Sequence, residues 1–140
     1  MNTFFRLLKL DFLPRSTDLA LLVLRVWLGL SMFILHGLGK FQNFSTLSGS
    51  FPDPLNVGSS TSLGLALLAE FFGSALLIIG AFTRLASVLL IGTMSVAAFI
   101  IHKATFTGEA NGELALLYLA GYVTLFIAGG GRFALDQRMR

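Results

Sequence analysis

The chain has 140 residues, of which 55% are hydrophobic and only 12% are charged. Soluble domains are about one-quarter charged, so this composition excludes an ordinary soluble domain and indicates an integral membrane protein. The absence of cysteine excludes disulfides, thiolate metal sites and covalently attached c-type haem. The net charge of +3 comes from basic residues near the ends of apolar segments, which indicates membrane topology and not a nucleic-acid partner.

Residues 1–17 form an amphipathic N-terminal segment with the sequence MNTFFRLLKLDFLPRST. The segment is too short and too charged to cross a bilayer, and its basic residues suit the headgroup region. We predict a short interfacial helix that ends at Pro14. A cleavable signal peptide is the rival interpretation, but no small-residue cleavage site follows the apolar stretch.

Four apolar segments follow, and each is a candidate membrane crossing, which needs about 20 residues. Their predicted ranges are 18–40, 63–82, 84–103 and 112–128. Polar side chains that can cap a helix precede the first two segments, namely Ser16, Thr17 or Asp18, and then Thr61 or Ser62. The remaining parts are a polar loop of residues 41–61, a short loop of residues 104–111 and a basic tail of residues 132–140.

These segments predict an all-α integral membrane protein, a four-transmembrane-helix bundle over residues 18–131. An even number of crossings places both termini on one side of the membrane. That side carries seven basic residues, whereas the other side carries two, Lys40 and Lys103. Because basic residues favour the cytoplasmic side, we predict that both termini are cytoplasmic and that the chain is a multi-pass protein of the inner membrane.

Small residues at four-residue intervals let membrane helices approach each other closely. Such intervals occur at Ala69 and Gly73 in the second segment and at Ala120, Thr124 and Ala128 in the fourth. We therefore predict that these two faces pack inside the bundle.

The first segment carries a polar stripe that lipid cannot accommodate. On a period of 3.6 residues, one face contains Arg25, Gly29, Met32, His36 and Lys40. Ionisable groups are costly in hydrocarbon, so this face is predicted to meet protein, water or a ligand. Arg25 is assigned to the cytoplasmic boundary, where its side chain can reach the headgroups or pair with Asp136 or with carbonyls of residues 129–131.

Ionisable side chains from all four segments are predicted to lie at a similar depth. With a rise of about 1.5 Å per residue, every helix contributes one or two of them to the outer half of the bundle. They are His36, Lys40, Glu70, His102 and Glu113. This convergence is the main indication of a functional site in the sequence.

Two interpretations of this cluster involve neither a haem nor a metal ion. In the first, the charges are structural: Glu70 pairs with His36 or Lys40, and Glu113 stabilises the start of its own helix. In the second, the cluster binds a polar headgroup such as that of a quinone. The quinone carbonyls would accept hydrogen bonds from His36 or Lys40, while Glu70 or a histidine exchanges protons. Candidates for an apolar wall are Phe33, Phe41, Phe72, Phe99 and Phe106.

A haem held by His36 and His102 is a further alternative, as is a metal site built from both histidines with Glu70 and Glu113. The Glu-x-x-His pairing of di-iron bundles is absent from the sequence. Polar residues inside bundles are also far more often structural than metal-binding. We therefore assign no metal ligands and favour a quinone over a haem.

Four stretches carry a family resemblance: RVWLGLSMFILHGLGKF, LGLALLAEFFGSALLIIGAFTRLASVLL, GELALLYLAGY and the closing GGGRFALD. In order and spacing, over about residues 19–136, they resemble the DoxX family of small four-helix membrane proteins. That family is related to the small subunit of thiosulfate:quinone oxidoreductase. The resemblance implies a quinone-linked subunit of a membrane oxidoreductase, or an accessory to one, without fixing a reaction.

With this resemblance, the sequence predicts a membrane-embedded subunit of a quinone-linked oxidoreductase. We assign catalytic roles to His36 and Glu70, with Lys40, His102 and Glu113 completing the cofactor site. The alternative is a non-catalytic scaffold or assembly subunit; a small transporter is less favoured because no broken helix is evident at mid-membrane. The expected partners are the lipid bilayer and either other membrane or membrane-associated subunits or further copies of the chain.

Overall fold

A computed structural model describes residues 3–10 and 12–139, and the regular elements within them are all helical. Met1, Asn2 and Asp11 of the predicted N-terminal segment, and Arg140 of the predicted tail, lie outside the described residues. The helices are α1 (Thr3–Leu8), α2 (Thr17–Gln42), α3 (Phe44–Leu47), α4 (Ser59–Ile79), α5 (Thr83–Ile101) and α6 (Glu113–Ala128). A 3-10 turn at Leu135–Gln137 follows α6.

Three helices, α2, α4 and α5, are long and apolar enough to cross a membrane, each with a mean hydropathy of 2.0. This finding confirms a helical membrane protein. Large apolar side chains point away from the bundle, among them Trp27 at 74% exposure and Leu35 at 72%, as expected for helices that contact hydrocarbon. The fourth apolar helix, α6, is shorter at 16 residues.

Side-chain caps and backbone conformation set the ends of the long helices. The hydroxyl of Ser16 caps α2 by accepting a hydrogen bond from the N–H of Leu19 at 3.2 Å. Helix α4 ends at Ile79, before its predicted end, because Gly80 adopts a left-handed φ of +73°. A Cβ atom at Gly80 would lie 2.7 Å from the Cβ of Ala134, so the C-terminal segment packs directly on this turn.

A single carboxylate organises the start of α4. Asp53 accepts hydrogen bonds from the backbone N–H groups of Val57 at 3.0 Å and Gly58 at 2.8 Å. It also accepts one from the hydroxyl of Ser62 at 2.7 Å. The helix therefore begins earlier than predicted, at Ser59, and the prediction that Thr61 or Ser62 caps it is wrong.

Helix α1 differs from its prediction in length. It ends at Leu8, well before Pro14, because Leu10 adopts a left-handed φ of +52°. None of its residues is buried against the bundle. Exposed Phe and Leu side chains accompany Arg6 on this helix, so its surface is amphipathic, as the sequence indicates.

The core lies between α2, α4, α5 and α6, with α6 packed along α5 and α2 along α4. Its fully buried side chains include Met32, Leu77, Leu90, Tyr122 and Leu125. On α4, Ala69 and Gly73 are buried as predicted. The prediction for α6 is wrong: Ala120, Thr124 and Ala128 are exposed, because the helix turns a face containing Tyr118 and Tyr122 towards the core.

Arg25 ties three segments together at one end of the bundle. Its guanidinium donates to the carbonyls of Leu77 at 3.2 Å, Ile78 at 2.5 Å and Phe133 at 2.9 Å. The residue is only 2% exposed, which excludes the alternative that it reaches the headgroups. It does bind backbone carbonyls, but not those of residues 129–131. The carbonyls of Leu77 and Ile78 belong to the last turn of α4, where the helix dipole favours a cation.

The C-terminal segment completes this end. The carboxylate of Asp136 accepts hydrogen bonds from the N–H groups of Phe82 at 2.6 Å and Thr83 at 2.9 Å, and so caps α5. Asp18, at the start of α2, accepts one from the N–H of Arg132 at 2.9 Å. The closing GGGRFALD stretch is therefore part of the packed fold.

Candidate functional site

The other end of the bundle contains an ion pair between α2 and α4. The Nζ atom of Lys40 lies 2.5 Å from Oε2 of Glu70. The Glu70 side chain is 7% exposed and that of Lys40 is 21% exposed. A carboxylate this deeply buried requires a partner, since an unpaired charge there would be strongly destabilising. Lys40 supplies that partner, so of the two pairings the sequence left open, the structure contains the one with Lys40.

Both partners of the ion pair sit on or next to locally widened helical turns. The turns Phe33–Gly37 in α2 and Leu68–Gly73 in α4 have π-helical hydrogen bonding. They meet where Gly37 faces Glu70: a Cβ atom on Gly37 would lie 2.5 Å from the carbonyl oxygen of Glu70. Widened turns of this kind are frequent at functional sites because they re-aim side chains.

The His36 side chain lies next to this pair, on the side of α6. It is half-buried and within the electrostatic field of both Glu70 and Lys40. Its ring meets the ring of Tyr118 edge-on at 5.9 Å between centroids. His36 is therefore placed beside the ion pair, with an aromatic neighbour from a third helix.

Two tyrosines of α6 extend the polar cluster into the core, and the sequence interpretation missed both. Tyr118 and Tyr122 stack with their centroids 5.8 Å apart and their planes at 18°. The Tyr122 hydroxyl is fully buried and has no hydrogen-bond partner among the described residues. Their four-residue spacing on the last apolar segment was an available signal, because it places both on one face of a helix.

Three aromatic rings stack between α2 and α4, the two helices that contain the ion pair. Phe71 packs between Phe33, at 4.7 Å, and Phe41, at 4.5 Å between ring centroids. The predicted wall residues Phe99 and Phe106 instead form a separate edge-on pair at 6.3 Å. The sequence interpretation therefore identified Phe33 and Phe41 but missed Phe71, which joins them.

The two remaining predicted site residues make their contacts elsewhere. The Nδ1 atom of His102 lies 3.3 Å from the carbonyl oxygen of Ala110, within the loop that joins α5 to α6. Glu113 is the exposed first residue of α6, and its N–H donates to the side chain of Asn111 at 2.9 Å. The structure thus brings together Lys40, Glu70 and His36, and places His102 in the loop between α5 and α6 and Glu113 at the start of α6.

On the other side of Glu70, an apolar groove of about 380 Å³ runs between α4 and α5. Pro52 and Pro54 line it from the loop that Asp53 holds in place, and Ser62 and Thr93 are among its few polar residues. Leu65 at 51%, Leu68 at 47% and Val88 at 46% exposure also line it, so the groove opens to the outer surface of the bundle. Its volume is in the range of small-molecule sites.

Chemically, this arrangement provides a cation, an anion and an imidazole beside an apolar groove. Lys40 can donate hydrogen bonds, the Glu70 carboxylate can accept them, and the His36 imidazole can take up or release a proton. In the part of the chain that the structure describes, no three histidine, aspartate or glutamate side chains are arranged to hold a metal ion.

Comparison with known proteins gives the family. A profile of the DoxX family matches residues 20–103, which is more than half of the chain. The chain belongs to the DoxX family. This DoxX chain is also 40% identical over 116 residues to an uncharacterized protein of Haemophilus influenzae, covering 76% of this chain and 81% of that protein. No solved structure matches it.

The part that matches the DoxX profile contains the ion pair, His36 and the groove. Tyr118 and Tyr122 lie beyond the matched residues, on the helix that closes the DoxX chain's core. The family match therefore includes the residues around Glu70, but it does not show what chemistry they perform.

Proposed function

We propose that the chain crosses the bacterial inner membrane four times with both termini in the cytoplasm. Three crossings are α2, α4 and α5. We assign the fourth to α6 because it runs antiparallel to α5 along its whole length. At one end Arg84 of α5 donates to the carbonyl of Ile127 at 3.0 Å; at the other, a Cβ on Gly112 would lie 3.3 Å from Ala98. The excess of basic residues on the terminal side supports the orientation.

We further propose that the protein is the membrane-embedded subunit of a quinone-linked oxidoreductase. One observation carries this proposal: the Glu70 carboxylate, paired with Lys40, also lines an apolar groove that opens to the surface of the bundle. A carboxyl group at the wall of a lipid-facing groove suits a molecule with a polar head and an apolar tail. Intramembrane ionisable residues of this kind commonly mark ligand or proton pathways.

In this proposal each residue of the cluster has its own role. Glu70 contacts the quinone head and exchanges a proton with it, and Lys40 holds the carboxylate in position through their ion pair. His36 lies beside this pair and is placed to pass protons between Glu70 and the nearby end of the bundle. Tyr118 orients the His36 ring through their edge-on contact. Electrons would come from, or go to, a partner subunit.

A scaffold role remains the second candidate, and the same ion pair favours it. A buried carboxylate with a lysine partner at 2.5 Å is satisfied without any ligand. In that case the pair holds α2 against α4 for assembly with other subunits, and no small molecule is bound.

Purification in a mild detergent under anaerobic, reducing conditions tests the quinone proposal. Mass spectrometry and a visible spectrum of the folded protein are expected to reveal a bound quinone or quinol. Glu70→Gln is expected to lower quinol-linked turnover in membranes while the bundle stays folded. Folded wild-type protein without quinone, together with a Glu70→Gln variant that fails to assemble, would instead favour the scaffold.

A further inference from the structure

We infer that the groove between α4 and α5 selects a lipid-soluble molecule by its hydrogen-bond donors, and therefore binds the hydroquinone form in preference to the quinone. This inference rests on the proposed function, because it names the redox form that the same site takes. It follows from where the hydrogen atoms of the groove's polar side chains point.

Three polar side chains named above line the groove, and none of them has a hydrogen free for a ligand. The Ser62 hydroxyl donates to Oδ1 of Asp53 at 2.7 Å. The Thr93 hydroxyl donates to the carbonyl of Leu89 at 3.2 Å. Glu70 is the acceptor in its ion pair with Lys40, and a carboxylate has no hydrogen to give. All three therefore present oxygen lone pairs, so a ligand head must supply the donors.

Lys40, which donates to Glu70, does not line the groove. Lys40 approaches the carboxylate through Oε2 from α2, whereas the groove is lined by α4, α5 and the loop that contains Pro52 and Pro54. A quinone carbonyl placed in the groove would face lone pairs only, and an unpaired buried acceptor is costly. A hydroquinone offers two hydroxyl groups to the same oxygens.

The groove also has the shape and surroundings for an alkyl tail. About 380 Å³ is enough for a substituted ring with the first part of a chain. Beyond the polar side chains its walls are apolar, and exposed Leu65, Leu68 and Val88 mark the side on which the chain would leave towards hydrocarbon. The occupant is thus a single amphipathic molecule that enters from the bilayer.

Glycine positions on the two helices provide a matched pair of variants. Gly92 lines the groove, and a Cβ atom there would have nothing within 4 Å, so Gly92→Leu adds apolar bulk to the lining without a clash at Cβ. Gly64, on α4, has equally open space, but it is not among the residues that line the groove. Gly64→Leu is therefore the control for added apolar bulk on the bundle surface.

The test is calorimetric titration of the detergent-solubilised full chain with a decyl-substituted benzoquinone and, anaerobically, with its hydroquinone. We expect the hydroquinone to bind about tenfold more tightly, the difference that one charge-assisted hydrogen bond produces. Gly92→Leu should weaken hydroquinone binding by about tenfold or more, whereas Gly64→Leu should bind like the wild type. Glu70→Gln should lose the preference, because a carboxamide both donates and accepts.

Equal or tighter binding of the oxidised form to the wild type would overturn the inference, as would a folded Gly92→Leu variant with unchanged affinity. A third probe, 4-decylphenol, separates this inference from the proposed function. If the phenol binds with the same dependence on Gly92 but no quinone of either form binds or co-purifies, donor selection stands and the quinone function fails. If quinone co-purifies but the oxidised form binds more tightly, the function stands and the inference fails.

Discussion

At the scale of single residues, three of the buried polar side chains in the bundle are in three different situations. Glu70 has a charged partner in Lys40, and Arg25 has three backbone carbonyls. Tyr122 has no partner for its hydroxyl among the described residues. Because lipid excludes charge, the sequence predicted that Glu70 and the stripe containing Arg25 would face away from lipid, but it missed Tyr122. It could not decide between His36 and Lys40 as the partner of Glu70, since that choice depends on how far the widened turns rotate each side chain.

Arg25 is expected to stabilise the folded bundle. Arg25→Met leaves the carbonyls of Leu77, Ile78 and Phe133 without their donor, and we expect a loss of about 3 kcal/mol in the free energy of unfolding, given about 1–3 kcal/mol per buried unpaired group. Arg25→Lys should be intermediate, because one ammonium cannot reproduce the spread of the guanidinium. Thermal and denaturant unfolding in detergent measure both variants.

Arg84→Met is the matched control for this prediction. Arg84 is exposed and donates to one carbonyl, that of Ile127, so its replacement should cost under about 1 kcal/mol. An Arg25→Met variant as stable as Arg84→Met would show that the carbonyls at the end of α4 do not depend on the guanidinium.

At the scale of elements, the approach of α2 to α4 sets the geometry of the site. The two helices touch through backbone where Gly37 meets Glu70, and both are widened there. The apolar periodicity predicted that these helices exist and nearly where they end. Periodicity assumes a uniform 3.6 residues per turn, so it gave no sign of the π-helical turns. The buried face of α6 was misplaced for another reason: small residues at four-residue intervals indicated the packing face, whereas Tyr118 and Tyr122 face the core.

Gly37→Ala is expected to separate the two helices. The added methyl would lie 2.5 Å from the carbonyl oxygen of Glu70, a contact that only backbone movement can relieve, and overpacking of this kind costs about 1–3 kcal/mol. The variant should melt at a lower temperature and lose the Lys40–Glu70 pair. Gly39→Ala, on the same helix with nothing within 4 Å, should be neutral or slightly stabilising. Equal melting temperatures for the two variants would contradict the close approach.

The stability that the loop before α4 gives to the fold is expected to depend on pH. The hydrogen bond from the Ser62 hydroxyl, followed by those from Gly58 and Val57, holds the pKa of Asp53 below its usual range despite the opposing effect of desolvation. Because the folded pKa is lowered, the carboxylate stabilises the fold at pH values above its unfolded pKa of about 3.9. That stabilisation is lost as the pH falls through the lower, folded value.

Melting temperatures of the wild type and Asp53→Asn measure this effect. We expect the wild type to be more stable at pH 6 and the difference to shrink as the pH falls below about 4. Ser62→Ala, which removes one of the three hydrogen bonds, should have a smaller effect with the same dependence on pH. A difference between wild type and Asp53→Asn that is constant from pH 3 to pH 6 would rule out this role for the Asp53 charge.

At the scale of the whole molecule, the two ends of the bundle have different characters. One end is fastened by Arg25, Asp136 and the C-terminal segment, and the other holds the ion pair and the groove. Composition and hydropathy were sufficient to predict a helical membrane protein, because they set what lipid tolerates. The groove and the packing of the tail depend on contacts distant in sequence, such as that of Gly80 with Ala134, which a linear pattern does not contain.

The proposed topology can be tested with single cysteines, since the chain contains none. Ser50→Cys and Glu109→Cys lie in the loops assigned to the outer side, and Met139→Cys lies in the tail; all three positions are exposed. A membrane-impermeant maleimide should label the two loop variants in intact cells and the tail variant only after permeabilisation. Labelling of Met139→Cys in intact cells would reverse the orientation, and labelling of one loop alone would change the number of crossings.

The claim that the Lys40–Glu70 pair serves a ligand is tested most directly by the quinone content of the double variant Lys40→Met/Glu70→Leu. Replacing both partners of a buried ion pair with apolar residues usually preserves the fold, so ligand loss is separated from unfolding. After extraction under anaerobic, reducing conditions, we expect stoichiometric quinone or quinol in the wild type and none in a folded double variant. A folded double variant that retains the wild-type quinone content would contradict the claim.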